Sequence, residues 1–117
     1  MMNIKTKRIY EAPSTADGFR VLVDRLWPRG LKKEDAQISL WLKAIAPSDE
    51  LRKWFHHEES NWPTFVSRYQ AELQNNNALS ELSALAKAHQ TITLLYGAKD
   101  ETHNQAVVLK QLLECTI

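Results

Sequence analysis

Phe19-Arg-Val-Leu-Val23 runs straight into Asp24-Arg-Leu-Trp-Pro-Arg-Gly30, and the reading of that junction decides the fold. The first five residues form a nearly continuous apolar run, which fits a strand buried on both faces of a parallel or mixed sheet. The next seven gather Asp24, Arg25 and Arg29 around Leu26, Trp27 and Pro28, and Gly30 closes them. A strand ending in charges, an aromatic and turn formers delivers those groups to one end of a sheet. The place has the composition of a site.

Downstream, Thr91-Ile-Thr-Leu-Leu-Tyr96 is the clearest strand, ended by Gly97 and followed by Ala98-Lys-Asp-Glu-Thr-His-Asn104. Between the two strands, three helices are expected. Ser48 caps the first, with Asp49 and Glu50 in its first turn against the helix dipole and Leu51, Trp54 and Phe55 on its apolar stripe. Asn61 and Pro63 start the second, whose buried face is Val66, Tyr69 and Leu73. Asn75-Asn-Asn77 ends it, and Ala78–Ala88 forms the third. A final helix is expected from Asp100 as its cap, with Ala106, Leu109 and Leu113 facing the core. Ile4–Tyr10 reads as an edge strand and Glu11–Gly18 as a connection. Leu31–Ala36 is a polar segment with room for one helical turn. Ile38–Ile45 alternates like a strand but is ambiguous with a helix. The order predicts one α/β domain over residues 1–117. Its sheet would hold about three to four strands, largely parallel or mixed, with helices packed on it.

Bulk composition narrows the class. In 117 residues, apolar side chains make up 44% and charged ones 25%, the range of an ordinary globular protein. No run approaches the ~18 apolar residues of a membrane span, and the basic start has no apolar segment of the secretory type behind it. Cys115 is the sole cysteine, which excludes an internal disulfide or a cysteine metal cluster and fits a reducing cytoplasm. Residues 1–33 hold eight basic side chains against three acidic ones, while the remainder holds seven against eleven. The charge is a local patch, not a globally basic surface.

If the strands ending at Val23 and Tyr96 are parallel neighbours, both polar motifs emerge at the carboxyl end of the sheet, where open α/β sheets bind ligands. Arg25, Arg29 and Lys99 would then hold a phosphate or carboxylate. Asp24, Asp100 and His103 are the available acid–base groups, and Trp27 could wall the pocket. The competing reading is an ion-pair network of Asp24 and Arg25 with Arg29, Lys99 and Asp100, in which Asp100 is only a cap. The run His56-His57-Glu58-Glu59 matches no metal-ligand spacing and reads as a solvated helix end. No metal is therefore expected, and an ion between Asp24 and Asp100 is not required. Nor does any G-x-G-x-x-G, Walker or G-x-S-x-G pattern occur, so no nucleotide cofactor is expected.

Several long motifs then fall in order. They are Arg20–Gly30, Trp41-Leu-Lys43 with Ala46-Pro-Ser48, Leu51–His56, Arg68-Tyr69 with Glu72-Leu73, and Thr93–Asp100 with His103–Ala106. Together they resemble the bacterial DUF488 family of unknown function, in its short YeaO-like branch, over almost the entire chain. The resemblance implies a small cytoplasmic α/β protein. Longer members of the wider family carry a cysteine and an arginine after the last strand, where this chain has Tyr96 and Asn104. Thiol chemistry is therefore not carried over, and Tyr96 and Asn104 are taken as ligand-binding candidates.

The expectation is a small anionic ligand at the sheet's carboxyl end, with hydrolysis or group transfer left open. The alternative is a non-catalytic module that binds nucleic acid or a protein through the basic N-terminal third.

Overall fold

A computed structural model describes residues 3–56 and 58–115. His57, within the run judged above as a solvated helix end, lies outside the described residues.

Four strands form one parallel sheet in the order β1-β4-β2-β3: β1 is Asn3–Arg8, β2 Phe19–Leu22, β3 Leu40–Trp41 and β4 Thr91–Tyr96. Five α-helices accompany them: α1 Lys33–Ala36, α2 Asp49–Phe55, α3 Trp62–Gln74, α4 Asn77–Ala88 and α5 Gln105–Cys115. The expected α/β class and the parallel pairing of the two motif-bearing strands are both present. Phe19 pairs with Ile92 and Leu22 with Leu95, so β2 and β4 point the same way and end side by side.

Side chains alternate across a strand, and the two faces of this sheet are covered differently. Val21, Val23, Ile92, Leu94 and Tyr96 enter the main core with Leu51, Phe65, Tyr69, Leu82 and Leu109 from the helices. Leu22 and Leu95 face the other way into a smaller cluster under Trp27, Leu31, Ile38 and Trp41. The edge position expected for β1 is found, since it pairs only with β4.

Two expectations are corrected here. The alternating run Ile38–Ile45 holds only a two-residue strand, because Leu42 leaves the extended conformation and Lys43–Ile45 closes a 3-10 turn. Asp100 does not cap the last helix. Its Oδ1 accepts the N–H groups of Thr102 and His103 and closes a separate turn, while Asn104 Oδ1 accepts from Val107 and starts α5. The cap belongs to the residue whose oxygen reaches an N–H three positions on, and that is Asn104. His56, in the run read above as a solvated helix end, lies one residue past the end of α2 with φ of 42°. Of the other helix signals, Asn61 precedes α3 without a side-chain cap bond and Trp54 of the expected apolar stripe is exposed, while two hold. Ser48 Oγ accepts from the Leu51 N–H, and Pro63 sits in the first turn of α3.

Candidate functional site

β2 ends beside β4, and the side chains just beyond the two ends make a cleft of about 180 Å³. It is lined by Asp24 and Arg25 from the end of β2, Arg52 and Phe55 from α2, Asn104 and Gln105 at the start of α5, and an apolar wall that includes Leu26, Pro47 and Phe65.

Asp24 is fixed at the point where the strands finish. Its Oδ2 accepts the Gly97 N–H at 2.9 Å, and its other oxygen accepts from Gln105 Nε2. The backbone is held as well, with Val23 N–H donating to Leu95 and Trp41 Nε1 donating to the Asp24 carbonyl at 2.7 Å. Gly97 permits this approach, since a Cβ there would lie 2.8 Å from Asp24 Oδ2. Burial raises the Asp24 carboxyl to about 6, against the opposing pull of the Gly97 and Gln105 hydrogen bonds. The ion-pair network with Arg29, Lys99 and Asp100 is not what forms. Asp24 has neutral donors only, and among the described residues no ion pair includes it.

This predicts a stability effect with a definite sign. The folded protein holds the Asp24 proton more tightly than the unfolded chain, whose value is about 3.9. The destabilisation is therefore absent below about pH 4, grows through the window from about 4 to 6, and is complete above it. Asp24→Asn keeps an acceptor for Gly97 and, with a flipped Gln105 amide, a partner on its nitrogen. It is expected to stabilise the fold by on the order of 2 kcal/mol at pH 8 and by almost nothing at pH 3.5. Urea unfolding at the two pH values checks this. Equal effects at both would remove the burial argument.

Arg25 is held from the other side of the cleft. Its Nε and Nη2 donate to the Pro47 and Ala46 carbonyls at 3.2 and 3.1 Å, leaving further N–H groups for a ligand. That loop is anchored in turn by α3. Tyr69, fully buried, donates to the Ile45 carbonyl at 2.6 Å, and Glu72 accepts from the Ser48 N–H and hydroxyl. Asp49 lies 3.9 Å from Arg25 and 3.4 Å from Arg52, so one exposed carboxylate sits between the two guanidiniums.

The other candidates are placed elsewhere. Arg29 and Lys99 are exposed and do not line the cleft. Trp27 packs edge-on against Trp41 in the smaller cluster, with Nε1 donating to Leu31, so it does not wall the cleft. Tyr96 is buried in the main core. Asp100 and His103 pair with each other at 3.0 Å, away from the cleft lining and with the imidazole edge-on to Trp62. The Thr102 N–H above all, with the His103 side chain and N–H, lowers Asp100 to about 2. Glu59, Asp100 and His103 each offer one donor atom, all within 4.8 Å of one another, so the three residues that could share a metal ion exclude Asp24. Of the sequence candidates, Asp24, Arg25 and Asn104 meet in one place. Arg52, Phe55, Phe65 and Gln105 join them without having been singled out.

Residues 3–117 match the family described as "Inactive DUF488-N3 subclade". The chain belongs to the DUF488 family. Among its relatives in that family, the uncharacterized protein YeaO of Escherichia coli (strain K12) is 50% identical over 113 residues, covering 96% of this chain and 97% of that protein. The uncharacterized proteins Rv3073c of Mycobacterium tuberculosis (strain ATCC 25618 / H37Rv) and Mb3100c of Mycobacterium bovis (strain ATCC BAA-935 / AF2122/97) are each 42% identical over 110 residues. In both cases the match covers 94% of this chain and 92% of the relative. These place the chain in the YeaO-like branch. No solved structure matches it significantly. No helix among the described residues is long and apolar enough to cross a membrane.

Proposed function

We infer that this protein is a binding module for a small anionic molecule, held at the carboxyl ends of β2 and β4 by Arg25 and Arg52 and not chemically altered there. The observation that carries the reading is the meeting of two guanidiniums at one apolar-walled cleft. Arginine forks suit a carboxylate or phosphate, and the apolar wall reduces their screening by water. A non-catalytic role is supported by the position of the acid–base pair. Asp100 and His103 do not line the cleft. It also accords with the family's description as inactive.

The basic N-terminal third offers less to nucleic acid than its charge count suggests. Lys5 and Lys7 donate to the Ala16 and Ala12 carbonyls, Arg8 to Ala98, and Arg20 is buried.

The test is thermal unfolding against a panel of small carboxylates and phosphates. A ligand at about 100 times its Kd adds roughly 2.7 kcal/mol, or a Tm rise near 10 °C for a chain of this size. That rise is expected to vanish in Arg25→Ala and Arg52→Ala and to persist in Arg29→Ala and Lys99→Ala. A panel that moves no Tm, or a rise that survives loss of both cleft arginines, ends the reading. Binding to DNA or RNA with a steep salt dependence would favour the nucleic-acid alternative.

A further inference from the structure

The cleft holds one group that an anion alone does not explain. Asp24 is a carboxylate in its lining, beside several apolar side chains, and its partners are the uncharged N–H groups of Gly97 and Gln105. Cations are not scarce nearby. Arg25 is the next residue in the chain, yet it donates to the Ala46 and Pro47 carbonyls and lies near Asp49 instead. Arg52 likewise reaches Asp49. The cleft therefore contains a half-buried negative group without a cationic partner among the described residues, and two positive groups whose acidic neighbour is itself exposed.

Resting on the anion-binding reading above, we propose that the ligand is an amino acid with an apolar side chain: its ammonium group meets Asp24, its carboxylate meets Arg25 and Arg52, and its side chain lies on Phe55 and Phe65. Asp24 and Arg25 both line the cleft, so one ligand bearing both charges can meet the two of them there. An ammonium arriving at Asp24 supplies the counter-charge that the protein withholds, and a half-buried carboxylate gains more from it than an exposed one would. Because Asp24 titrates near 6, the ammonium displaces a proton from it at lower pH. Affinity is then expected to rise as pH goes from 5 to 7.

The experiment uses the full chain at pH 7.5, with chemical-shift titrations of L-leucine and L-phenylalanine beside 4-methylpentanoate and 3-phenylpropionate, which lack only the ammonium group. At least one amino acid is expected to bind ten-fold or more tightly than its des-amino partner. Asp24→Asn is expected to erase that advantage, with the des-amino acids bound no more weakly than by the parent. Arg52→Ala is expected to weaken both classes. Asp24→Asn is also expected to be more stable than the parent at this pH, so loss of binding in it reports on the site and not on folding. If a des-amino acid binds as tightly as its amino acid, or if Asp24→Asn leaves the advantage intact, the ammonium site is overturned while the anion site stands. If none of the four binds, the proposal is overturned, and the carboxylate and phosphate panel decides separately whether the anion site survives.

Discussion

Arg20→Met is expected to lower stability by about 3–5 kcal/mol, the range for removing one partner of a buried ion pair. Arg20 is 4% exposed and Asp17 5%. Its guanidinium donates to Asp17 at 2.5 Å and to the Ala36 and Gln37 carbonyls at 2.7 and 3.1 Å. One side chain thus ties β2 to the Ser14–Gly18 turn and to the end of α1. Methionine fills much of the volume but leaves two carbonyls without their donor and Asp17 with Lys7 and the Ser14 N–H alone. For a chain of this length the loss corresponds to a Tm roughly 12–20 °C lower. Asp17→Asn with Arg20→Met should cost less than the sum of the two single changes, since the pair acts as a unit. Burial alone would raise the Asp17 carboxyl. Lys7, the Ser14 N–H and Arg20 outweigh it and hold the carboxyl below its ordinary value. The stability this contributes is complete above the unfolded value of about 3.9 and is lost as pH falls through the lower folded value. The parent should therefore show a steeper acid loss below pH 4 than Arg20→Met. Denaturation midpoints from pH 2 to 7 for the four proteins of the cycle measure both effects, and additive single changes would rule out the coupling.

How far the sequence reaches can be traced along β2. Arg20–Val23 was legible because a buried parallel strand is apolar on both faces, and that signal is local. Asp24 was legible for the same reason, as the first charge after the strand. Past it, the two-residue alternation stops and chain neighbours diverge. Arg25 turns to the Ala46–Pro47 carbonyls, whereas Trp27 turns to Leu31 on the opposite face and Arg29 is left exposed beyond it. Charge and proximity in sequence grouped Arg25 with Arg29, and backbone direction separated them. Arg52 was missed because helical spacing assigns α2 an apolar stripe but does not say which end of the sheet the helix crosses. Gln105 was missed because the last helix was started at Asp100. Once Asn104 is the cap, the next residue stands beside the strand ends and its amide can reach Asp24.

This redistribution changes the chemistry that the chain can be credited with. A site built from Arg29, Lys99, Asp100 and His103 would have joined anion binding to proton transfer. The cleft has the arginines and a half-buried carboxyl, and the imidazole is not in its lining. His103 pairs with Asp100 and packs against Trp62, and it is not among the residues that line the cleft. The proposed binding role draws on that separation.

Gly18→Ala is the second large effect, expected to cost roughly 2–6 kcal/mol from backbone strain and overpacking together. Gly18 has φ 64° and ψ −131°, a conformation that side-chain-bearing residues avoid. The space is also closed, because a Cβ would lie 2.3 Å from the Thr91 carbonyl oxygen, which is backbone and has no flexible end to swing away. Relief requires moving the Ser14–Gly18 turn off the start of β4, against the Thr93 hydroxyl bonded to the Asp17 carbonyl at 2.7 Å and the Phe19–Ile92 pairing. Gly30 separates the two contributions. Its φ is 79°, yet nothing lies within 4 Å of its would-be Cβ. Gly30→Ala should therefore cost only the conformational part, about 1–2 kcal/mol. The distance between the two variants in a urea titration measures the contact with β4. Equal losses would mean that the turn yields freely. A much larger loss at Gly18 would show that β2 is held in register against β4 from its first residue, which is what sets Asp24 beside Gly97 at the other end.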